Sequence, residues 1–176
     1  MQKILLILSY GVVIGLSKSK TTAYFAIKNL HKELRKIDKK CLQLAINNLY
    51  RSKLIDFQEK NDGTQILTLT ENGKKRVLVY NFEKLKFKKQ QNWDGLWRVI
   101  SFDIPEKFRK ERNALSQKLK SAGAYPLQKS VFVYPYDIKD ELDFLIEFLN
   151  LRRYVRCIIA KDIDNNLHLK KIFGLI

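Results

Sequence analysis

Apolar residues fall along the chain in runs whose period changes. From Ile4 to Leu16 they are nearly continuous, which predicts a first, well-buried helix, apolar on almost every side. Ser17 to Thr22 is a polar break offering an N-cap hydroxyl. Ala23 to Lys36 then reads as a second helix, with Tyr24, Ile27, Leu30 and Leu34 at helical spacing. Asp38 can cap a third helix, Lys39 to Ser52, striped by Leu42, Ala45, Ile46 and Leu49. The period then drops to two. Leu54 to Glu59 alternates, Asp62-Gly63 suits a tight hairpin turn, and Gln65 to Thr70 alternates again. Thr70-Glu-Asn-Gly73 closes the hairpin and opens a basic helix near Lys74. Three helices followed by a two-stranded hairpin is the order of a winged helix-turn-helix domain. None of these elements buries its apolar face alone, so they must pack together.

Phe82 to Asn92 is polar and basic, without Pro or Gly, and reads as the end of a helix or an extended linker. A boundary near residues 85–93 divides the chain into a first domain, 1–88, and a second, 93–176. In the second, Arg98 to Asp103 predicts a strand, and Pro105 suits the first turn of a helix over 106–122 that Gly123 ends. Ala124 to Leu127 and Ser130 to Tyr136 read as strands. Asp137 to Leu151 reads as a helix carrying Leu142, Leu145, Ile146 and Leu149, Tyr154 to Ala160 as a strand, and His168 to Phe173 as a further short one. The order β-α-β-β-α-β is that of a ferredoxin-like fold. The fold class is therefore α+β.

Charge changes this picture most. The chain carries 34 Lys and Arg against 18 Asp and Glu, a net of +16. Residues 1–92 hold 19 basic and 7 acidic side chains, and residues 93–176 hold 15 and 11. A domain as basic as the first repels itself unless it meets a polyanion. Nucleic acid is the commonest such partner, with an anionic membrane surface as the rival. The first apolar run is too short to span a bilayer, and Lys18 and Lys20 stand where a secretory signal would need a small-residue cleavage site. It is read as part of the fold, and no membrane segment is expected. Cys41 and Cys157 lie in apolar-periodic segments and are expected as buried free thiols of a reducing cytoplasm. The two Cys sit far apart in sequence, and with only two His beside them no four-ligand zinc site of the usual spacing is expected.

The third helix is the place to look for sequence reading. Lys40, Gln43, Asn47 and Arg51, spaced by three or four, share a face away from the Leu42/Ala45/Leu49 stripe. Gln and Asn pair with adenine, and Lys or Arg with guanine, in the major groove of double-stranded DNA. Lys39 at the helix start is placed for a phosphate. Lys60 near the hairpin tip, with Lys74, Lys75 and Arg76, is placed to clamp the flanking backbone. A solvated helix face is the plainer reading of the same pattern. Among acids, Asp103 stands out, at a strand end before Pro105-Glu106. It is either an N-cap, with Glu106 completing a capping box, or a metal ligand. One carboxylate holds Mg²⁺ poorly, whereas two, brought together across a two-fold dimer, would serve. Without that pairing the cap is favoured. His31 and His168 have no neighbouring nucleophile. The aromatics Phe132, Tyr134, Tyr136 and Phe144 have core spacing.

Trp93-Asp-Gly-Leu-Trp97, followed by Ser101-Phe-Asp-Ile-Pro-Glu106, resembles the central segment of the PaaX-type transcriptional repressors. The segment also resembles the Cas-two proteins of CRISPR adaptation, which share the strand-ending Asp and the later Gln128-Lys-Ser-Val-Phe132. The resemblance implies a ferredoxin-like homodimer with a DNA-binding head on each subunit, and it implies that Asp103 corresponds to the Asp used by Cas-two nucleases. PaaX-type repressors usually continue into a further domain after the point where this sequence stops, which leaves a small-molecule effector open. Cas-two proteins usually carry no winged helix. The sequence thus frames three expectations: a homodimeric, sequence-specific DNA-binding regulator of repressor type, a Mg²⁺-dependent nuclease working through Asp103, or a non-catalytic subunit that bridges DNA.

Overall fold

The computed structural model describes residues 1–10, 14–18, 25–28, 34, 38–59 and 65–175. The chain divides into two compact units, Met1–Glu83 and Lys84–Ile176.

The first unit contains α1 (Gln2–Ser9), β1 (Ile14–Lys18), β2 (Phe25–Lys28), α2 (Lys39–Arg51), β3 (Ile55–Glu59), β4 (Gln65–Leu69) and α3 (Glu71–Lys84), the last crossing its boundary by one residue. The strands form one antiparallel sheet in the order β2-β1-β4-β3. The β3–β4 hairpin runs in register from Ile55 opposite Leu69 to Glu59 opposite Gln65. Its apolar positions join Ile4 and Leu5 of α1, Leu42, Ile46 and Leu49 of α2, and Val77 and Tyr80 of α3 in one buried cluster.

Two expectations fail here. The apolar run from Ile4 is helical only as far as Ser9, and residues 14–18 are a strand. The second helix, expected over 23–36, is a strand at Phe25–Lys28, and its remainder lies outside the described residues except for Leu34, a buried turn residue. The cause is legible afterwards. Gly11 and Gly15 each cost a helix about 1 kcal/mol relative to Ala. A short apolar run also fits a buried strand as well as a buried helix.

The second unit contains β5 (Trp97–Phe102), a 3₁₀ turn (Glu106–Phe108), α4 (Arg109–Ala122), β6 (Tyr125–Gln128), β7 (Val131–Tyr134), α5 (Lys139–Phe148), β8 (Val155–Ala160) and α6 (Asn166–Phe173). Its sheet order is β6-β7-β5-β8 with every neighbour antiparallel, the strand order of a split β-α-β fold. The pleat puts Ile100, Phe102 and Phe132 on one face, where the rings of Phe102 and Phe132 stack at 5.9 Å. The buried stripes of α4 (Leu115, Leu119) and α5 (Leu142, Leu145, Ile146) have the spacing that covers such a face. On the opposite face Trp97, Val133 and Leu169 form a second buried cluster flanked by Trp93, Val99, Tyr125 and Phe173.

α6 replaces the short strand expected at 168–173. Leu169 and Phe173 are one helical turn apart on a single face, and Gly174, at φ +62°, ends the helix in the left-handed conformation. The cysteine expectation also fails, because Cys41 and Cys157 are both exposed. Cys41 lies in the first turn of α2, off its buried stripe, and Cys157 lies on an edge strand.

The aromatic motif at the head of this unit is structural. Trp97 Nε1 donates to Asn166 Oδ1 at 3.2 Å, and its ring meets Trp93 at 4.9 Å and Phe173 at 5.9 Å, so it holds α6 on the sheet. Asp94 grips the buried Arg98 through two bonds of 2.6 and 2.7 Å. Arg98 Nη1 also donates to the carbonyls of Leu96 and Pro135. The Arg98 guanidinium holds the Asp94 carboxyl below the usual range. A depressed carboxylate stabilises the fold above its unfolded pKa, and that stabilisation is lost as pH falls through the folded value. Asp94→Ala is therefore expected to lower stability by about 1–2 kcal/mol at neutral pH, since it orphans a buried guanidinium that keeps two carbonyl partners. The difference from wild type should shrink below about pH 4, where the unfolded carboxyl is protonated. Urea denaturation at pH 7 and pH 3 measures both.

Candidate nucleic-acid interface

The candidate interface starts from the ends of α2. Asp38 has the extended backbone of an N-cap, and its carboxylate accepts from the backbone N–H of Lys40 at 2.9 Å and of Cys41 at 3.1 Å. The only carboxylate next to this helix in sequence is thus committed to its first turn. Residues 39–51 contain no acid, so α2 carries the charges of Lys39, Lys40 and Arg51 unopposed from within. At the other end the chain leaves through Lys53, whose φ is +54°, and the Leu54 N–H donates back to the Leu49 carbonyl at 3.0 Å.

This exit is fastened to the hairpin and to α3. Thr70 Oγ1 donates to the Lys53 carbonyl at 2.7 Å and accepts from the Gly73 N–H at 3.1 Å. The Thr70 N–H donates to the Leu54 carbonyl at 3.2 Å. One threonine therefore links the end of α2, the return strand of the hairpin and the first turn of α3. Gly73 is needed there, because a Cβ on it would stand 2.0 Å from the Leu54 carbonyl oxygen.

With Leu42, Ile46 and Leu49 buried, the opposite face of α2 is open. Lys40, Asn47 and Arg51 are exposed, and Gln43 is half-buried. At about 100° per residue these four fall within an arc of roughly 80°. Gln43 Nε2 donates to Asn47 Oδ1 at 3.4 Å, a weak bond that sets the two amides side by side. The sequence reading missed Leu44. It adjoins Arg51 on the helical wheel and is 62% exposed, although its type suggested core. The 3.6-residue period already places it opposite Leu42, which was the available signal.

The remaining expected residues scatter. The side chain of Lys39, and Lys60 altogether, lie outside the described residues. Lys74 is ion-paired with Glu71 at 2.7 Å, and both are exposed. Lys75 is exposed on the same helix. The Arg76 guanidinium lies over the Tyr80 ring at 4.7 Å.

Asp103 does not form the expected cap. The turn after it begins at Glu106 and has no side-chain cap bond. The chain through Pro105 is extended and Pro105 itself stands at the N-cap position, so Asp103 lies two residues too early to cap the turn. Glu106 instead pairs with Arg112 at 3.0 Å and Arg109 at 3.6 Å. The Asp103 backbone N–H donates to the Tyr154 carbonyl at 3.0 Å, and its side chain is exposed. Among the described residues no three His, Cys, Asp or Glu side chains cluster for a metal. One exposed carboxylate alone holds Mg²⁺ poorly, and Asp103 would need a second carboxylate from a partner chain.

Among the described residues no helix is long and apolar enough to cross a membrane. No curated protein matches the chain. Residues 90–171 match the family model described as the PaaX protein central Cas2-like domain.

Proposed function

We propose that the protein is a cytoplasmic, homodimeric regulator of repressor type that binds double-stranded DNA through α2 and the β3–β4 hairpin. The observation that carries this reading is α2 itself. It is capped by Asp38, backed by a buried stripe, free of acids, and open on a face bearing Lys40, Asn47 and Arg51. In this reading α2 is the recognition helix of a winged helix-turn-helix domain, the hairpin is its wing, and the first unit, Met1–Glu83, forms the DNA-binding domain. Asn47 and Gln43 read adenine edges, and Arg51 and Lys40 read guanine. Lys39, Lys60, Lys74 and Lys75 meet phosphates. The expected cost of Asn47→Ala is about 1–3 kcal/mol of binding to the preferred site, a loss of roughly 5- to 150-fold, with no loss on random duplex. Footprinting followed by titration of the footprinted site checks it, and uniform weakening on all sequences would contradict base reading.

The homodimer is supported by β8. Among the described strands it pairs only with β5, and its Ile158 and Ile159, on opposite faces, are 53% and 65% exposed. An exposed apolar edge strand is a template for pairing, and a second copy of residues 93–176 is the occupant proposed. Ile159→Asp is expected to convert a dimer to a monomer in analytical ultracentrifugation and to weaken binding to a two-fold-symmetric operator at least tenfold.

A further inference from the structure

We propose that the second unit carries its own phosphate-binding site, a cleft between α4 and the β6–β7 turn continued by the lysines that precede β5. The cleft holds about 640 Å³, the size of a site for a nucleotide-sized group. Its floor is partly apolar, with Phe102 and Phe132, and side chains that can donate hydrogen bonds stand around it. Asn113, Ser116 and Lys120 come from α4, and Gln128, Lys129 and Ser130 come from the turn and the strand before it. Its one carboxylate, Glu106, is engaged by Arg112 and Arg109. Lys120 and Lys129 are exposed and have no ion pair among the described residues. A concavity rich in donors, with its acid already neutralised, selects an anion with many acceptor oxygens, and a phosphate ester is that chemistry.

The basic surface extends beyond the cleft. The Phe87 N–H donates to the Ala122 carbonyl at 3.0 Å, and Lys86 Nζ donates to the Ser121 carbonyl. The Phe87 ring packs on Tyr134 at 5.1 Å. The segment before β5 is therefore strapped to the end of α4, one residue beyond Lys120. Lys88 and Lys89 follow on it, both exposed. A row of lysines longer than a single phosphate group suits the repeating backbone of nucleic acid, and that source rests on the DNA-binding reading above. A free nucleotide has the same chemistry in the cleft alone.

The test uses the full chain and two double variants, Lys120→Ala with Lys129→Ala, and Lys88→Ala with Lys89→Ala, each checked for unchanged thermal unfolding. Affinity for a random-sequence duplex of 30 base pairs is measured against NaCl concentration, and ATP is titrated separately. Removing one lysine–phosphate pairing should reduce the magnitude of the log–log salt slope by about 0.9, so each double variant should show a slope about 1.8 shallower with no change in sequence preference. Unchanged duplex slopes in both variants, with ATP binding that Lys120→Ala and Lys129→Ala abolish, would keep the site and assign it to a free nucleotide. Unchanged slopes together with no ATP binding would overturn the proposal. The α2 reading would survive that result, since Asn47→Ala reports on it independently.

Discussion

Trp97→Ala is expected to destabilise the second unit by about 3–5 kcal/mol, the usual cost of truncating a fully buried large aromatic. Trp97 is 0% exposed. Its indole does three things at once. It fills the space between β5 and α6 in the cluster with Val133 and Leu169, it packs on Trp93 and Phe173, and its N–H satisfies Asn166 at the start of α6. Truncation leaves a cavity and an unsatisfied amide together. Trp97→Phe keeps most of the ring and loses the N–H, so it should cost clearly less. Denaturant unfolding of the two variants, followed by circular dichroism, separates the packing loss from the hydrogen-bond loss. Equal costs would mean that the Asn166 bond, rather than volume, dominates.

Gly73→Ala is expected to have the second large effect, in the first unit. A Cβ at 2.0 Å from the Leu54 carbonyl oxygen meets backbone, not the flexible end of a side chain, and Leu69 stands 3.0 Å away on another side. The helix α3 or the turn after α2 must shift, and the Thr70 bonds to Lys53 and Gly73 break with it. Overpacking of this kind costs about 1–3 kcal/mol, and the loss of the threonine bonds adds about 1 kcal/mol. Because Thr70 ties the end of α2 to the hairpin, the same substitution should weaken DNA binding even where the chain remains folded. A thermal unfolding curve and a binding titration on one preparation of Gly73→Ala check both consequences. Wild-type values in both would contradict the proposed tie.

The parts of the fold that were legible in the sequence share a feature: the local signal and the tertiary demand agree. Asp38 before a 3.6-period stripe predicted α2, and Asp62-Gly63 between alternating runs predicted the hairpin. Gly123 predicted the end of α4, and the chain obeys it with φ at +121°. The failures come where apolar content is high and period is ambiguous. Residues 14–18 and 25–28 entered a sheet because β1 pairs with β4, a partner some fifty residues away that no local window contains. α6 is not legible locally, because Leu169 is buried by packing in the Trp97 cluster. The Asp103 cap failed because the chain stays extended through Pro105, so the helical turn begins only at Glu106. Within the candidate interface, Lys40, Asn47 and Arg51 were legible because they stand opposite the stripe. Leu44 is exposed because its angle on the helix, not its hydrophobicity, decides its place, and Gln43 is half-buried because it stands nearest the stripe's edge.

Charge divides between the two units in a way that composition alone did not reveal. Most of the net charge lies before residue 93, yet the lysines closest to that boundary belong to the second unit, strapped to α4 through Phe87 and Lys86. The basic run that the sequence offered as a linker is therefore part of a folded surface.

The central claim is that the open face of α2 reads DNA sequence. It is tested most directly by selecting bound sites from a randomised duplex library with the wild-type chain and with an Asn47→Ala, Arg51→Ala double variant. The account predicts a two-fold-symmetric site enriched by the wild type and lost by the variant, while affinity for random duplex stays within a few-fold. Enrichment of the same site by both chains, or of no site by the wild type, would contradict it.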